Sequence, residues 1–243
     1  EDFYFETAGT CEAGVPLWVL DRPNPLGGEP GWVEGPLPDR STLPSFLCRW
    51  PVPLRHSLTL GEMALLLREE MAVGVELSVV GMEGWRRAML WPDTGLPFHP
   101  PSPGIPTFAS ALLYPGTALL EATNVSEGRG TAHAFCWVGA PWMDGGKLSD
   151  AINGEAPPGI LATPMEQEAE AGVGSVPGVL LDVLQPTEVR PVALGLRLIS
   201  LLRTLWPMEF RWAPYPTAAN PTGEHHLERL LGRADLAAAL EGP

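Results

Sequence analysis

The chain alternates short apolar runs with polar segments rich in glycine and proline, and two of these runs predict strands. Residues 15–20, VPLWVL, are continuously apolar and lie between a glycine and a charged loop. Such a run is typical of a strand that is buried on both faces of a parallel sheet. Residues 75–80, VELSVV, predict a second strand.

A helix is predicted between the two strands. Apolar residues recur at three- and four-residue spacing over residues 59–72, which indicates one buried helical face. Thr59 and Glu62 have the spacing of a capping box, in which each side chain accepts a hydrogen bond from the backbone N–H of the other residue. This arrangement gives Glu62 a structural role and a weak claim to catalysis. The order of strand, helix and strand predicts an α/β half-domain.

A proline-rich connection over residues 92–106 separates this half-domain from a second unit. Proline lacks an N–H donor and has a fixed φ, which excludes both a helix interior and a central strand. Beyond the connection, Pro115 suits the first turn of a helix, and residues 188–205 predict a long, mostly buried helix. The other predicted elements are strands at residues 135–138 and 176–184 in a mixed sheet, and short helices near residues 223–232 and 233–241.

Composition and charge narrow the choice of partner and cofactor. Fifteen Lys and Arg against 29 Asp and Glu give a net charge of -14, the wrong sign for nucleic acid or an anionic membrane. The sequence contains no phosphate-binding loop and no metalloprotease motif. His225 and His226 are adjacent and diverge on a helix, and the three cysteines form no C-x-x-C pair. We therefore predict no metal and no organic cofactor.

Four polar clusters lie in glycine- and proline-rich loops and are the candidates for ligand binding. Arginine, carboxylate and amide groups in such loops suit an anionic, hydroxyl-rich ligand, and a sugar fits that description. For the first cluster, Asp21 and Asn24 also suit a purely structural role as turn formers beside prolines. The clusters are residues 21–24, the RHS segment with Arg55 and His56, GMEGWRR with Trp85 and Arg86, and TNVSEGRGT with Asn124, Glu127 and Arg129.

The motifs around these clusters resemble one known family. They are VPLWVLDRPNPLGG, VEGPLPD, RWPVPLRHSLT, GMEGWRR, TGLPFHPPSPGIPT, ALLYPGTALLEATNVSEGRGT and GAPW. In this order they resemble the bacterial exo-β-N-acetylmuramidase family over residues 14–142, and the resemblance continues more weakly through residues 188–205 and the EFRW segment. It implies a partial Rossmann-like parallel sheet in residues 1–112 and a smaller α+β domain in residues 113–243.

The resemblance also implies a function. Family members are glycosidases that release terminal N-acetylmuramic acid from peptidoglycan fragments, act outside the cytoplasm and need no metal or organic cofactor. The expected partner is therefore a small muropeptide or a saccharide that contains muramic acid. The alternative is a non-catalytic sugar-binding relic of the family. The family's N-terminal segment with its proposed catalytic glutamate has no counterpart before Glu1, so we expect a sequence that lacks this part.

Site residues follow from the matched motifs. The catalytic candidates are Glu127 and Asp21, because both lie in motif loops and neither has an evident capping role. Either residue is expected to orient the substrate or to assist the missing glutamate. Arg129 or Arg55 is expected to pair with the lactyl carboxylate of muramic acid, although a surface ion pair between Glu127 and Arg129 is the structural alternative. The expected substrate contacts are Arg22, Asn24, Glu34, Arg55, His56, Asn124 and Arg129.

The sequence departs from the family in one loop and at one position. The family's Lys- and His-containing loop is replaced by TPMEQEAEAGVGSVPG, and Ser57 stands where the family has glycine.

A Rossmann-like sheet interrupted within the domain would expose strand edges and an apolar face. We therefore expect a chain that is marginally stable, associates with itself or is only part of a longer product.

Overall fold

The structure is a computed structural model that describes residues 14–39, 47–48, 50–70, 74–168, 174–218 and 220–242. The chain divides into two compact units, Glu1–Trp32 with His56–Pro97 and Val33–Arg55 with Phe98–Pro243. The predicted boundary between residues 112 and 113 stays a prediction.

The first unit contains the predicted strand, helix and strand. They are β1 (Leu17–Leu20), α1 (Leu60–Glu70) and β2 (Leu77–Val80). The two strands are parallel, with Val19 opposite Val79, and this pairing confirms the α/β arrangement expected for residues 15–80. Residues 71–72, the predicted end of the helix, lie outside the described part of the chain.

Burial of β1 on both faces is a wrong prediction. Val19 is buried, whereas Trp18 and Leu20 are 67% and 69% exposed. The reason is that α1 covers the face that carries Val19 and Val79, where Gly61 lets the helix backbone approach Val79 closely. Trp18 and Leu20 point to the opposite face, because side chains alternate along a strand.

The capping box at the start of α1 is confirmed. The backbone N–H of Thr59 donates to Glu62 Oε2 at 3.0 Å, and the N–H of Glu62 donates to Thr59 Oγ1 at 3.2 Å. These bonds satisfy N–H groups that have no partner inside the first helical turn.

The second unit contains an antiparallel sheet of three strands within the described residues, in the order β3, β5, β4. A mixed sheet is therefore a wrong prediction. Part of β4 was expected to lie in a loop, because TPMEQEAEAGVGSVPG replaces a loop of the family. In the structure β4 pairs with β5 along its full length as a hairpin. The strands are β3 (Trp137–Gly139), β4 (Ile160–Glu168) and β5 (Ser175–Val183).

The second unit also contains helices, of which Gly145–Gly154 packs against β4 and β5. The predicted long helix and the two short C-terminal helices are present, and the helix Gly145–Gly154 was not predicted. Among the described residues, no helix has both the length and the apolar content needed to cross a membrane. The helices are α2 (Phe108–Thr117), α3 (Gly145–Gly154), α4 (Pro191–Leu205), α5 (His226–Leu231) and α6 (Ala234–Glu241), and a 3-10 helix (Ala118–Ala122) follows α2.

Pro115 does not lie in the first turn of its helix, which corrects the sequence prediction. The helix begins earlier, because Thr107 Oγ1 accepts a hydrogen bond from Ser110 N and caps the chain there. Pro115 lies near the C-terminal end of α2, where the helix tightens into the 3-10 helix Ala118–Ala122. This 3-10 helix carries a glutamate of the site described next.

Helices α2 and α4 pack with their backbones in close contact. A Cβ atom added to Gly116 would lie 1.7 Å from the carbonyl oxygen of Pro191, and one added to Gly195 would lie 2.2 Å from the carbonyl oxygen of Gly116. Leu112, Leu198 and Ile199 are fully buried around this contact. The contact fixes the end of α2, from which the 3-10 helix continues.

Candidate functional site

Asp21, which follows β1, binds the start of α1 in the first unit. Its Oδ1 accepts hydrogen bonds from Gly61 N at 2.7 Å and from Arg22 N at 2.8 Å. Its Oδ2 accepts a bond from Thr59 Oγ1 at 3.0 Å. Both oxygens of the carboxylate are thus used to join the end of the strand to the start of the helix.

Asn24 and His56 meet at Leu58 in the same unit. Asn24 Nδ2 donates to the carbonyl of Leu58 at 3.0 Å, and the N–H of Leu58 donates to His56 Nδ1 at 3.0 Å. Burial lowers the pKa of His56, which favours the neutral ring that this bond requires. Arg22 lies next to Asp21 and is exposed. The structure therefore brings Asp21, Asn24 and His56 around residues 58–61, and their roles toward a substrate stay predictions.

Glu34 and Arg55 form a buried link within the second unit. Their backbones pair as an antiparallel bridge, and Arg55 Nη1 lies 3.6 Å from Glu34 Oε2. Arg55 Nη1 also donates to the carbonyl of Val189 at 3.0 Å, and Glu34 Oε1 accepts a bond from Ala193 N in α4 at 3.3 Å. Burial raises the pKa of Glu34, and the N–H of Ala193 and the charge of Arg55 oppose that shift.

Asn124 holds its loop to a distant segment of the second unit. Its Oδ1 accepts a bond from Arg211 N at 2.9 Å, and its Nδ2 donates to the carbonyl of Glu209 at 2.9 Å. The predicted substrate-contact amide is thus bonded to backbone groups of the EFRW segment.

Glu127 and Arg129 belong to a cluster of charged side chains in the second unit. Arg129 Nε donates to Glu127 Oε1 at 3.1 Å, and Arg129 Nη2 forms an ion pair with Glu121 Oε1. The second oxygen of Glu121 lies 3.0 Å from His226 Nε2. Glu121, Glu127 and His226 are buried, whereas the Arg129 side chain is 44% exposed. We call Glu121, Glu127, Arg129 and His226 the carboxylate cluster.

The backbone around Glu127 folds back on itself to form this cluster. Gly128 and Gly130 have φ values of +76° and +82°, a region that glycine adopts without steric cost. The carbonyl of Glu127 accepts a bond from Phe135 N at 2.7 Å. The guanidinium of Arg129 lies 5.0 Å from the centroid of the Phe135 ring, a cation–π contact.

Electrostatics single out Glu127. Burial raises the pKa of its carboxyl group, and the nearby charge of Glu121 raises it further, while its own backbone N–H and Arg129 act in the opposite direction. Burial and the two glutamates also raise the pKa values of Tyr114 and Tyr215. Because Glu127 is buried and Arg129 also pairs with Glu121, a simple surface ion pair does not describe this contact.

Glu121 and His226 were not among the site residues predicted from the sequence. Glu121 lies in the ALLEA run, and a lone carboxylate in an apolar segment was the available signal that it has a partner. His226 was considered only for metal binding. No group of three or more metal-ligating side chains of the required geometry occurs in the described ranges. Tyr215 stacks against His226 with ring centroids 4.8 Å apart, which explains the burial of the imidazole.

Family models match almost the whole chain. The model described as exo-beta-N-acetylmuramidase NamZ, N-terminal, matches residues 5–109, and the model described as exo-beta-N-acetylmuramidase NamZ, C-terminal, matches residues 112–243. The quoted motifs lie within residues 14–142. The first match begins before residue 14, and the second ends after residue 142 and includes the whole carboxylate cluster.

A curated relative and two solved structures are also similar. Peptidoglycan beta-N-acetylmuramidase NamZ of Bacillus subtilis is 39% identical over 206 residues, which are 83% of this chain and 49% of the relative. The chain thus spans about half the length of that relative. Two DUF1343 family proteins of Bacteroides fragilis have TM-scores of 0.82 and 0.64 at 28% and 23% identity, and each match covers 96% of this chain and 60% of the other. The second likeness concerns the fold alone.

Proposed function

The chain belongs to the exo-beta-N-acetylmuramidase NamZ family, and from this premise we propose that it is a glycosidase that releases terminal N-acetylmuramic acid from peptidoglycan fragments. The substrate is a small muropeptide or a saccharide that ends in muramic acid. The observation that supports this proposal best is the carboxylate cluster, in which two buried glutamates share one half-exposed arginine.

Glu127 is the general acid in this proposal. Glycoside hydrolysis needs one carboxyl group that is protonated before it donates to the leaving oxygen. Burial and the charge of Glu121 raise the pKa of Glu127, which favours the protonated form. Asp21 is less suited to this role, because both oxygens of its carboxylate already accept hydrogen bonds that join the end of β1 to the start of α1.

Arg129 binds the lactyl carboxylate of muramic acid. Of the two arginines predicted for this role, Arg55 is 1% exposed and bonded to the carbonyl of Val189, whereas Arg129 is open to solvent. Replacing Arg129 with alanine should weaken binding of N-acetylmuramic acid by about 10- to 100-fold, as expected for a lost charge-assisted hydrogen bond.

Binding of N-acetylglucosamine, which lacks the lactyl group, separates this role from a general loss of structure. Arg129→Ala should change its affinity much less. Arg197→Ala is the matched control, because Arg197 is an exposed arginine of the same unit that pairs with Glu155. Equal losses for the two sugars in Arg129→Ala would contradict the assignment.

Turnover is tested with a chromogenic β-glycoside of N-acetylmuramic acid. The intact chain should release the chromophore, and Glu127→Gln should lower kcat by about 100-fold or more, in the range for a lost general acid. Glu155→Gln is the control, because Glu155 is a glutamate that pairs with Arg197 away from the carboxylate cluster. Binding of the glycoside without release would favour the non-catalytic sugar-binding alternative.

The proposal also includes a Rossmann-like fold for the first unit and an extracytoplasmic location. Parallel strands β1 and β2 with the intervening helix α1 support a Rossmann-like arrangement for the first unit. An extracytoplasmic location fits a substrate derived from peptidoglycan.

A further inference from the structure

The carboxylate cluster carries more negative than positive charge. Glu121 and Glu127 both contact the guanidinium of Arg129, so that two carboxylates share one positive charge. His226 Nε2 bonds Glu121, while its Nδ1 is buried without a partner among the described residues.

Groups on three other segments face Glu127. Tyr114 lies on α2, Glu121 on the 3-10 helix Ala118–Ala122 and Tyr215 on the segment before α5, and each interacts electrostatically with the Glu127 carboxyl group. Both tyrosines are neutral near pH 7, because burial and the two glutamates raise their pKa values above the ordinary value of 10. The charge that faces Glu127 is therefore that of Glu121 and Arg129.

Arg129 retains hydrogen-bonding capacity for a ligand. Its Nε and Nη2 bond the two glutamates, and its Nη1 makes no hydrogen bond within the described ranges. With 44% of the side chain exposed, a solvent-borne carboxylate has access to it. A ligand carboxylate at Nη1 would add a third negative charge around one guanidinium, in a site where burial weakens solvent screening.

We propose that binding of a carboxylate-bearing sugar at Arg129 is coupled to the uptake of one proton by Glu127. This inference rests on the proposed function, which places the lactyl carboxylate at Arg129. The proton comes from the solvent and binds a Glu127 carboxylate oxygen, and no other bond forms or breaks. The ligand adds one negative charge and the proton one positive charge, so the net charge of the cluster is unchanged.

This coupling links recognition to catalysis. Binding of the lactyl carboxylate that identifies muramic acid also favours protonation, by a proton from the solvent, of the residue that must donate a proton to the leaving oxygen. A neutral sugar such as N-acetylglucosamine brings no charge and therefore does not favour protonation of Glu127. Selectivity for muramic acid then depends on the protonation of Glu127 as well as on the affinity for the sugar.

The coupling is measured by isothermal titration calorimetry of the intact chain. N-acetylmuramic acid is titrated near pH 7 in phosphate and in Tris, whose different ionisation enthalpies reveal any proton exchanged on binding. We expect net proton uptake, of at most one proton per bound N-acetylmuramic acid, and none for N-acetylglucosamine. The affinity for N-acetylmuramic acid should fall by up to about tenfold per pH unit above the pKa of Glu127.

Variants identify the group that takes up the proton. Glu127→Gln is neutral at every pH, so it should bind N-acetylmuramic acid without proton uptake and with an affinity that no longer falls as the pH rises. Glu155→Gln, which removes a carboxylate outside the cluster, should retain the uptake of the unmodified chain.

The outcomes separate this inference from the function on which it rests. Binding of N-acetylmuramic acid to the unmodified chain with equal heats in both buffers would overturn the coupling and leave the proposed function standing. Uptake that persists in Glu127→Gln would overturn the assignment to Glu127. Absence of N-acetylmuramic acid binding would overturn the proposed function and the coupling with it. The titrations of the unmodified chain decide the coupling even if the variant does not fold.

Discussion

Single side chains in the motif loops fall into two groups according to their hydrogen bonds. Asp21, Asn24 and Asn124 bond mainly to backbone groups and hold their loops in place. Glu127 and Arg129 instead bond to other side chains, within a network of charges. The polar atoms of Asp21, Asn24 and Asn124 already bond to groups of the protein. The guanidinium of Arg129 is partly exposed and is open to a ligand. This difference supports the placement of the site at the carboxylate cluster.

Burial of their thiols predicts how fast Cys48 and Cys136 react with an alkylating reagent. Burial raises the pKa of the Cys48 thiol to about 11 and raises that of Cys136 as well. At pH 8 only about one Cys48 thiol in a thousand is then the reactive thiolate. Both residues should react slowly with iodoacetamide in the native protein and rapidly in guanidinium chloride, as followed by peptide mass spectrometry. Native labelling of either residue at the rate of an unfolded thiol would contradict this prediction.

Pairs of elements determine where the charged residues lie. The contact between α2 and α4 fixes the start of the 3-10 helix that carries Glu121, and Asn124 joins the next loop to the EFRW segment. The capping box of α1 lies within four consecutive residues and was predicted from the sequence. The pairing of β4 with β5 was not predicted, because a polar edge strand is stabilised by its partner rather than by its own apolar pattern.

Glycine substitutions test the contact between α2 and α4. Gly116→Ala should lower the free energy of unfolding by roughly 1–3 kcal/mol or more, because the new Cβ would clash with the Pro191 carbonyl. Gly154→Ala is the control, since a Cβ there meets no atom within 4 Å and should be neutral or slightly stabilising. Denaturant unfolding gives both values. Equal stability of the two variants would contradict the packing.

At the scale of the whole molecule, the exposed apolar face of β1 predicts association between copies. Trp18 and Leu20 are largely exposed, and Val80 lies opposite Leu20 in β2. A contiguous apolar strand face is a site of self-association. Sedimentation velocity should show a concentration-dependent increase in mass that Trp18→Lys reduces. Met208→Lys, which changes another exposed apolar side chain, should leave the increase intact. A monomer at all concentrations would contradict the prediction.

The sequence by itself determined the features that depend on neighbouring residues. The helix α1 with its cap, the strands β1 and β2 and the helix α4 follow from local apolar spacing and capping chemistry, and the motif loops identified the family. The net charge of -14 also makes nucleic acid a poor candidate partner. These properties need no knowledge of contacts that are distant along the chain.

Only the tertiary structure decided which side chains share the candidate site. Glu121 and His226 are 105 positions apart and meet through a single hydrogen bond, and no local pattern encodes such a pair. Burial likewise distinguished Arg55 from Arg129, two arginines that the motifs treat alike. The physical reason is that burial and ionic pairing depend on the packing of elements from distant parts of the sequence, and packing sets which charges remain available to a ligand.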